Sequence, residues 1–160
     1  MVKIPKEYLS VLEFLTKKLL KANWVLVGSL SLALQGVNIH PKDIDILTDK
    51  AGALTCNKLL KDFCLEPIKW SKTEKFASYF GKFRMEKILV EIMGDLEIKY
   101  QDTWRKIDSR LKNVTYVQIN ELRVPVSPLE AQLESYQRLN REKDRLRVQL
   151  IQEKLAKEQN

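Results

Sequence analysis

Residues 24–47 read WVLVGSLSLALQGVNIHPKDIDIL, and this stretch decides the fold. Trp24-Val25-Leu26-Val27 is a short apolar run rich in β-formers, which predicts a strand. Gly28-Ser29 predicts a turn after it, since glycine reaches backbone angles closed to other residues and lets a ligand approach the main chain. Ser29 is placed to cap a short helix carrying Leu30, Leu32, Ala33 and Leu34, and Gly36 is placed to end it. A helix start with free N–H groups and a hydroxyl suits a phosphate. An ordinary capped strand-to-helix turn carries the same residues, so Gly-Ser alone discriminates little.

Ser29 is followed by thirteen residues and then by Asp43-Ile44-Asp45. Alternate residues of a strand share a face, so Asp43 and Asp45 project together, with Cα atoms about 6–7 Å apart. Ile44 and Ile46 then turn to the opposite side, into a core. Two neighbouring carboxylates repel unless a cation lies between them. A hard divalent ion such as Mg²⁺ takes oxygen ligands and keeps positions open for phosphates. Solvated acids on an edge strand are the alternative.

Gly28-Ser29 followed by Asp43-Ile44-Asp45 resembles the signature of the DNA polymerase β-like nucleotidyltransferase superfamily. It looks most like the small, minimal members, some of which modify antibiotics or act in toxin–antitoxin pairs. The resemblance covers Trp24 to Met93 well and the C-terminal helices loosely. It implies that Gly28 and Ser29 hold the triphosphate of an NTP and that Asp43 and Asp45 hold Mg²⁺ or Mn²⁺. It also asks for a third acid on an adjacent strand.

Ile88-Leu89-Val90-Glu91-Ile92 supplies that acid in Glu91. A carboxylate inside so apolar a strand is costly unless it is paired or bound to metal. The superfamily more often has Asp here, so Glu91 is a departure. Asp95 and Glu97 are rivals, expected in a turn after Gly94 and in the next strand. Arg141-Glu142-Lys143-Asp144 is similar to a basic-residue–aspartate motif in the last helices of many minimal members. That likeness implies that Lys143 meets the triphosphate and Asp144 orients it. A solvated charged face with i,i+4 pairs reads equally well.

The bulk properties fit such a protein. A chain of 160 residues supports one domain with a real core. A net charge of +7 and a pI near 9.4 favour anionic partners. Cys56, Cys64 and His40 make neither a disulfide scaffold nor a zinc framework, and a single histidine argues against Ser-His or Cys-His catalysis. No segment approaches the ~20 apolar residues of a membrane span. Met1-Val2-Lys3-Ile4-Pro5 does not open a secretory signal, because the helix that follows is amphipathic and charged. A cytoplasmic protein without a membrane partner is expected.

The remaining elements follow from periodicity and caps. Lys6 to Lys21 reads as a helix with Leu9, Leu12, Leu15, Leu19 and Leu20 on its apolar side. Thr48 or Asp49 caps a helix over Ala51 to Phe63, with Leu54, Leu59, Leu60 and Phe63 inward. Ile68 to Thr73 reads as a loop, where Trp70 among Lys69, Lys72 and Lys75 either stacks on a base or covers the sheet edge. Phe76 to Arg84 and Lys87 to Met93 make a hairpin. Leu96 to Tyr100 is a further short strand, and Asp102 caps a short helix through Trp104, Ile107 and Leu111. Val114 to Ile119 turns at Asn120-Glu121 into Leu122-Arg123-Val124. Ser127-Pro128-Leu129-Glu130 is a capping box for a helix to about Leu139, and a second helix runs to about Lys157 with a frayed tail.

The expected architecture is α/β (α+β): a nucleotidyltransferase-like mixed sheet of about five strands flanked by helices. Residues 1–126 form it, and 127–160 add a C-terminal helical pair packed on the same domain. The expected activity is metal-dependent transfer of a nucleoside monophosphate from an NTP to a hydroxyl. The acceptor is a small molecule, a protein or an RNA. Two other readings stand beside it: a catalytically inactive nucleotide- or RNA-binding module, which Glu91 favours, and an antitoxin-like regulatory partner.

Overall fold

The computed structural model describes residues 2–107 and 109–159, with the backbone alone at 109 and 110. The expected helix after Asp102 and the expected tail each include a residue, Asp108 and Asn160, that lies outside them. Helix α1 spans Lys6–Lys18, strand β1 Trp24–Val27, α2 Gly28–Leu34, β2 Ile44–Thr48 and α3 Lys50–Leu59. Then come β3 Cys64–Lys72, β4 Phe76–Met85, β5 Ile88–Tyr100, β6 Thr103–Lys106 and the short α4, Ser109–Lys112. The chain closes with β7 Thr115–Ile119, β8 Leu122–Val126, α5 Leu129–Leu139 and α6 Glu142–Glu158. The strands form one mixed sheet in the order β3-β4-β5-β2-β1-β8-β7, with β6 paired to β5. β2 runs parallel to β5 and β1 parallel to β8, and the other pairings are antiparallel. The mixed sheet, the flanking helices and the C-terminal helical pair are as expected from the sequence.

Among the described residues the sheet has eight strands rather than about five, and the unexpected ones have a physical cause. Residues expected as a loop form β3, an edge strand. Pro67 and the lysines suit an edge, where an N–H is dispensable and charge discourages pairing with other chains. Asn57 of α3 secures it, accepting from the Ile68 N–H at 2.7 Å and donating to the Ile68 carbonyl at 3.2 Å. Trp70 is 45% exposed and meets Tyr79 edge-on at 5.0 Å, so one side of the indole is already occupied.

β5 continues to Tyr100 instead of stopping near Met93. Asp95 sits at a positive φ of 49° opposite a register shift in β4, so the interruption is a bulge and not a turn. Gln101 and Asp102 both adopt positive φ and turn the chain back into β6. The first part of the helix expected after Asp102 is therefore strand β6, Leu111 at its end falls in the short α4, and Asp102 is a hairpin residue. Glu86 and Lys87 make the same kind of turn between β4 and β5.

Two buried clusters hold the molecule. The larger packs α1 and α3 on the sheet through residues such as Leu12, Leu15, Leu26, Ile44, Ile46, Phe83, Val90 and Ile92. The smaller joins Leu32 and Val37 to Leu129, Tyr136 and Ile151. It fastens the C-terminal helices to α2, which is what brings them to the Gly-Ser turn. Leu20 and Leu54, expected inward, are 79% and 40% exposed. α1 ends at Lys18, so Leu20 falls beyond the helical register, and Ala53 and Cys56 provide the buried face of α3. Among the described residues no helix is long and apolar enough to cross a membrane.

Candidate active site

The parallel pairing of β2 with β5 sets Asp45 level with Glu91. Ile44 and Ile46 are fully buried below, so the acids take the opposite face. Asp43 lies just before β2. Tyr8 holds that approach, its hydroxyl reaching the Pro41 and Lys42 carbonyls at 3.0 and 2.7 Å. Burial, Asp43 and Glu7 all raise the Tyr8 pKa. Burial pushes the Asp45 carboxyl up to about 7; Glu91 and Asp43 add to this, and Arg147 and Lys143 oppose it. Glu91 is raised by burial and by Asp43, against Lys82 and Lys143, with Glu66 adding to the rise. Lys82 is the cross-strand partner of Glu91 on β4. The rivals lie elsewhere: Asp95 accepts from the Lys50 N–H at 3.0 Å at the bulge, and Glu97 faces Lys106 on β6.

The Gly-Ser turn leans directly on these acids. Gly28 has φ +80°, and a Cβ there would collide with the Asp45 carboxylate. This glycine turns the strand straight into α2, so the helix starts two residues earlier than expected. Ser29 is consequently not the N-cap, which is Val27, but lies inside the first turn. Its buried hydroxyl accepts from the Lys42 N–H at 2.9 Å and pins the loop that leads to Asp43. Gly36, at φ +89°, closes the short helix as expected.

The C-terminal helices supply residues that the sequence did not single out. Gln132, on α5, is buried and accepts from the Gly28 N–H at 3.1 Å. Its amide donates to the Ser31 hydroxyl at 3.0 Å and to the Ser127 carbonyl at 2.8 Å. The Tyr136 hydroxyl stands 3.4 Å from Gln132, and Arg147 donates to that hydroxyl at 3.3 Å. A glutamine on an amphipathic helix gives no sequence signal. Arg147 had one, because it lies one turn after Lys143 and shares its face. We expect Gln132→Leu, which keeps the volume but strands several buried polar groups, to lower stability by about 1–3 kcal/mol. Denaturant unfolding measures this, and an unchanged midpoint would remove the bridging role.

The motif at 141–144 is also placed. Asp144 is fully buried, and both its oxygens are taken by Arg141: Nε at 2.6 Å, Nη2 at 3.0 Å and the backbone N–H at 3.0 Å. It caps α6 and so fixes where exposed Lys143 stands. The capping box read at Ser127 is not the one observed. α5 has Pro128 at its N-cap with no side-chain cap bond, and the box belongs to Arg141 and Asp144.

The acids offer oxygen donors alone, which matches a hard divalent cation. A cation beside them would relieve the repulsion that adds to the effect of burial on Asp45 and Glu91. Among the described residues no three acid, histidine or cysteine side chains stand close enough to enclose a metal by themselves. Mg²⁺ is commonly held by one or two carboxylates together with substrate phosphates, so the donor set fits an ion that arrives with a nucleotide.

Three comparisons bear on this geometry. A family model described as aminoglycoside-2''-adenylyltransferase matches residues 8–151. A crystal structure of a Thermotoga maritima protein, to which nucleotidyltransferase activity has been attributed, is 38% identical with a TM-score of 0.81; the match covers 86% of this chain and 88% of that one. ANT(2'')-Ia in complex with adenylyl-2''-tobramycin is 9% identical with a TM-score of 0.58, over 95% of this chain and 91% of that one, a likeness of fold. Among curated proteins none matches the sequence significantly.

Proposed function

The chain belongs to the aminoglycoside-2''-adenylyltransferase family, and from that premise we propose that it transfers a nucleoside monophosphate from an NTP to a hydroxyl of a small-molecule acceptor. The observation that carries this is the register of Asp45 with Glu91, with Gly28 packed against the Asp45 carboxylate. Asp43, Asp45 and Glu91 would hold Mg²⁺ or Mn²⁺. Bound there, the ion supplies neutralisation of phosphate charge and a lower pKa for a coordinated hydroxyl. Ser29 and its neighbouring first-turn amides meet the phosphates, while the Gly28 N–H stays with Gln132. Lys143, fixed by the Arg141–Asp144 pair, approaches the triphosphate, and Asp144 acts through it. Glu91 accepts the proton of the acceptor hydroxyl. The acceptor oxygen forms a bond to the α-phosphorus, and the bond to pyrophosphate breaks. Positioning and charge neutralisation supply most of the rate.

Incubation with each NTP, Mg²⁺ or Mn²⁺ and a panel of hydroxylated acceptors tests this. Pyrophosphate should appear only with a divalent ion and stop with chelator. Saturating MgATP should also slow hydrogen exchange at the amides of Ser29 and Leu30. Binding without pyrophosphate, across the whole panel, would leave the inactive module as the better reading. Unchanged exchange together with no pyrophosphate would sink both.

A further inference from the structure

We propose that Arg147 holds the leaving pyrophosphate: its guanidinium binds the β- and γ-phosphates of the NTP on the β1 side of Asp45, across from Glu91. This deepens the nucleotidyltransferase reading and rests on it. Strand β2 lies between β1 and β5, with Asp45 paired to Val27 on one side and to Glu91 on the other. The β1 side leads by contact to Arg147. Gly28 follows Val27 and packs against the Asp45 carboxylate. The Gly28 N–H donates to Gln132, the Tyr136 hydroxyl meets Gln132 at 3.4 Å, and Arg147 Nη1 donates to that hydroxyl at 3.3 Å. The charges agree with this placement. Arg147 and Lys143 both oppose the raised pKa of Asp45, Arg147 the more strongly, whereas at Glu91 only Lys143 of the two does so.

Arg147 is half-buried, and its supports Gln132 and Tyr136 are buried. The Tyr136 ring centre lies 5.3 Å from the guanidinium. One ring and one hydroxyl orient the group and leave its other N–H donors for an anion. Arg138 and Arg141 are occupied by Glu134 and Asp144; among the described residues Arg147 has no such ion pair. In-line displacement sets the attacking and leaving oxygens on opposite sides of the α-phosphorus. With the acceptor hydroxyl at Glu91, the leaving group departs toward β1. The acceptor oxygen bonds to the α-phosphorus, the bond to the bridging oxygen breaks, and its electron pair stays on pyrophosphate. Arginine keeps its proton at any working pH, so Arg147 neutralises that charge and does not serve as an acid.

The test titrates the full chain by calorimetry, with Mg²⁺ present, against inorganic pyrophosphate, ATP and AMP. Arg147→Gln should weaken pyrophosphate and ATP binding on the order of tenfold or more and leave AMP binding as in the wild type. Arg145→Gln makes the same charge change on an exposed neighbour whose Nε meets Asn140 at 3.3 Å, and should bind all three like the wild type. Arg147→Lys keeps the charge and loses the planar fork, so its pyrophosphate affinity should fall by less; it decides the question should Arg147→Gln fail to fold. The proposal is overturned if the deciding Arg147 variant binds pyrophosphate as tightly as the wild type, or if AMP binding falls equally. It is also overturned if Arg145→Gln loses as much, or if the wild type binds no pyrophosphate. Failure of the nucleotidyltransferase reading looks different: pyrophosphate binding then still depends on Arg147, but no NTP releases pyrophosphate with any acceptor.

Discussion

Asp45→Asn should lower NTP turnover by about a thousandfold or more, since a metal-centred charge stabilisation of several kcal/mol is at stake and each 1.4 kcal/mol is tenfold. Folding should respond in the opposite sense. The folded protein holds the Asp45 proton up to about 7, whereas an unfolded chain releases it near the ordinary carboxylate value. The folded state therefore binds more protons between those two limits, and stability falls as pH rises through that window. The contribution is fully present below the unfolded pKa and gone above about 7. Asparagine carries no such proton, so the variant's stability should be flatter from pH 4 to 7. Above pH 7, without metal, it should match or exceed the wild type.

Mg²⁺ with ATP should then raise the melting temperature of the wild type and leave the variant nearly unmoved. Melting curves at pH 5 and pH 8, with and without MgATP, on the same preparations as the turnover assay, separate the two roles. A variant that melts much lower at pH 8, beside a wild type insensitive to MgATP, would mean that Asp45 is scaffolding.

How far the sequence reaches depends on the range of the interactions. Strand β1, the turn at Gly28, the core-facing Ile44 and Ile46 and the Asp49 cap, which accepts from the Gly52 N–H at 2.7 Å, are local decisions. So are the two tight turns of β7–β8 and β4–β5, and all of these were legible. The edge strand β3 was not, because nearly all of its side chains are exposed, so no apolar alternation marks it, and its clasp by Asn57 shows only in the folded chain. The bulge at Asp95 was misread for a related reason: it lets one strand serve two neighbours, β4 and β6, and no local pattern announces that. In the site, the acids were legible through the resemblance. Their supports Tyr8 and Gln132 act across tens of residues and show only in the folded chain, whereas Arg147 lies one turn after Lys143. Ser127-Pro128-Leu129-Glu130 had the letters of a capping box, yet α5 has Pro128 at its N-cap with no side-chain cap bond, and the Ser127 carbonyl accepts from Gln35 and Gln132.

Gly28→Ala should strike both stability and turnover. With φ at +80° any side chain there is strained, by about 1–2 kcal/mol. The added Cβ would also land on the Asp45 carboxylate, which must swing away or push the turn off its place. Either movement misplaces a proposed metal ligand relative to Glu91, and an error near 1 Å costs about a hundredfold in rate. The Gly28 N–H bond to Gln132 would loosen with it. Gly36→Ala supplies the comparison. Its φ of +89° imposes similar strain, but its Cβ would meet only the end of the Lys154 side chain, at 3.0 and 3.1 Å, which can move aside. Gly36→Ala should therefore lose stability and keep most of its turnover, measured at a temperature where both variants are folded. Gly28→Ala should lose both, with turnover down about a hundredfold. If the two variants lose turnover alike, or Gly28→Ala retains it, the contact between Gly28 and Asp45 is packing and not part of the site's geometry.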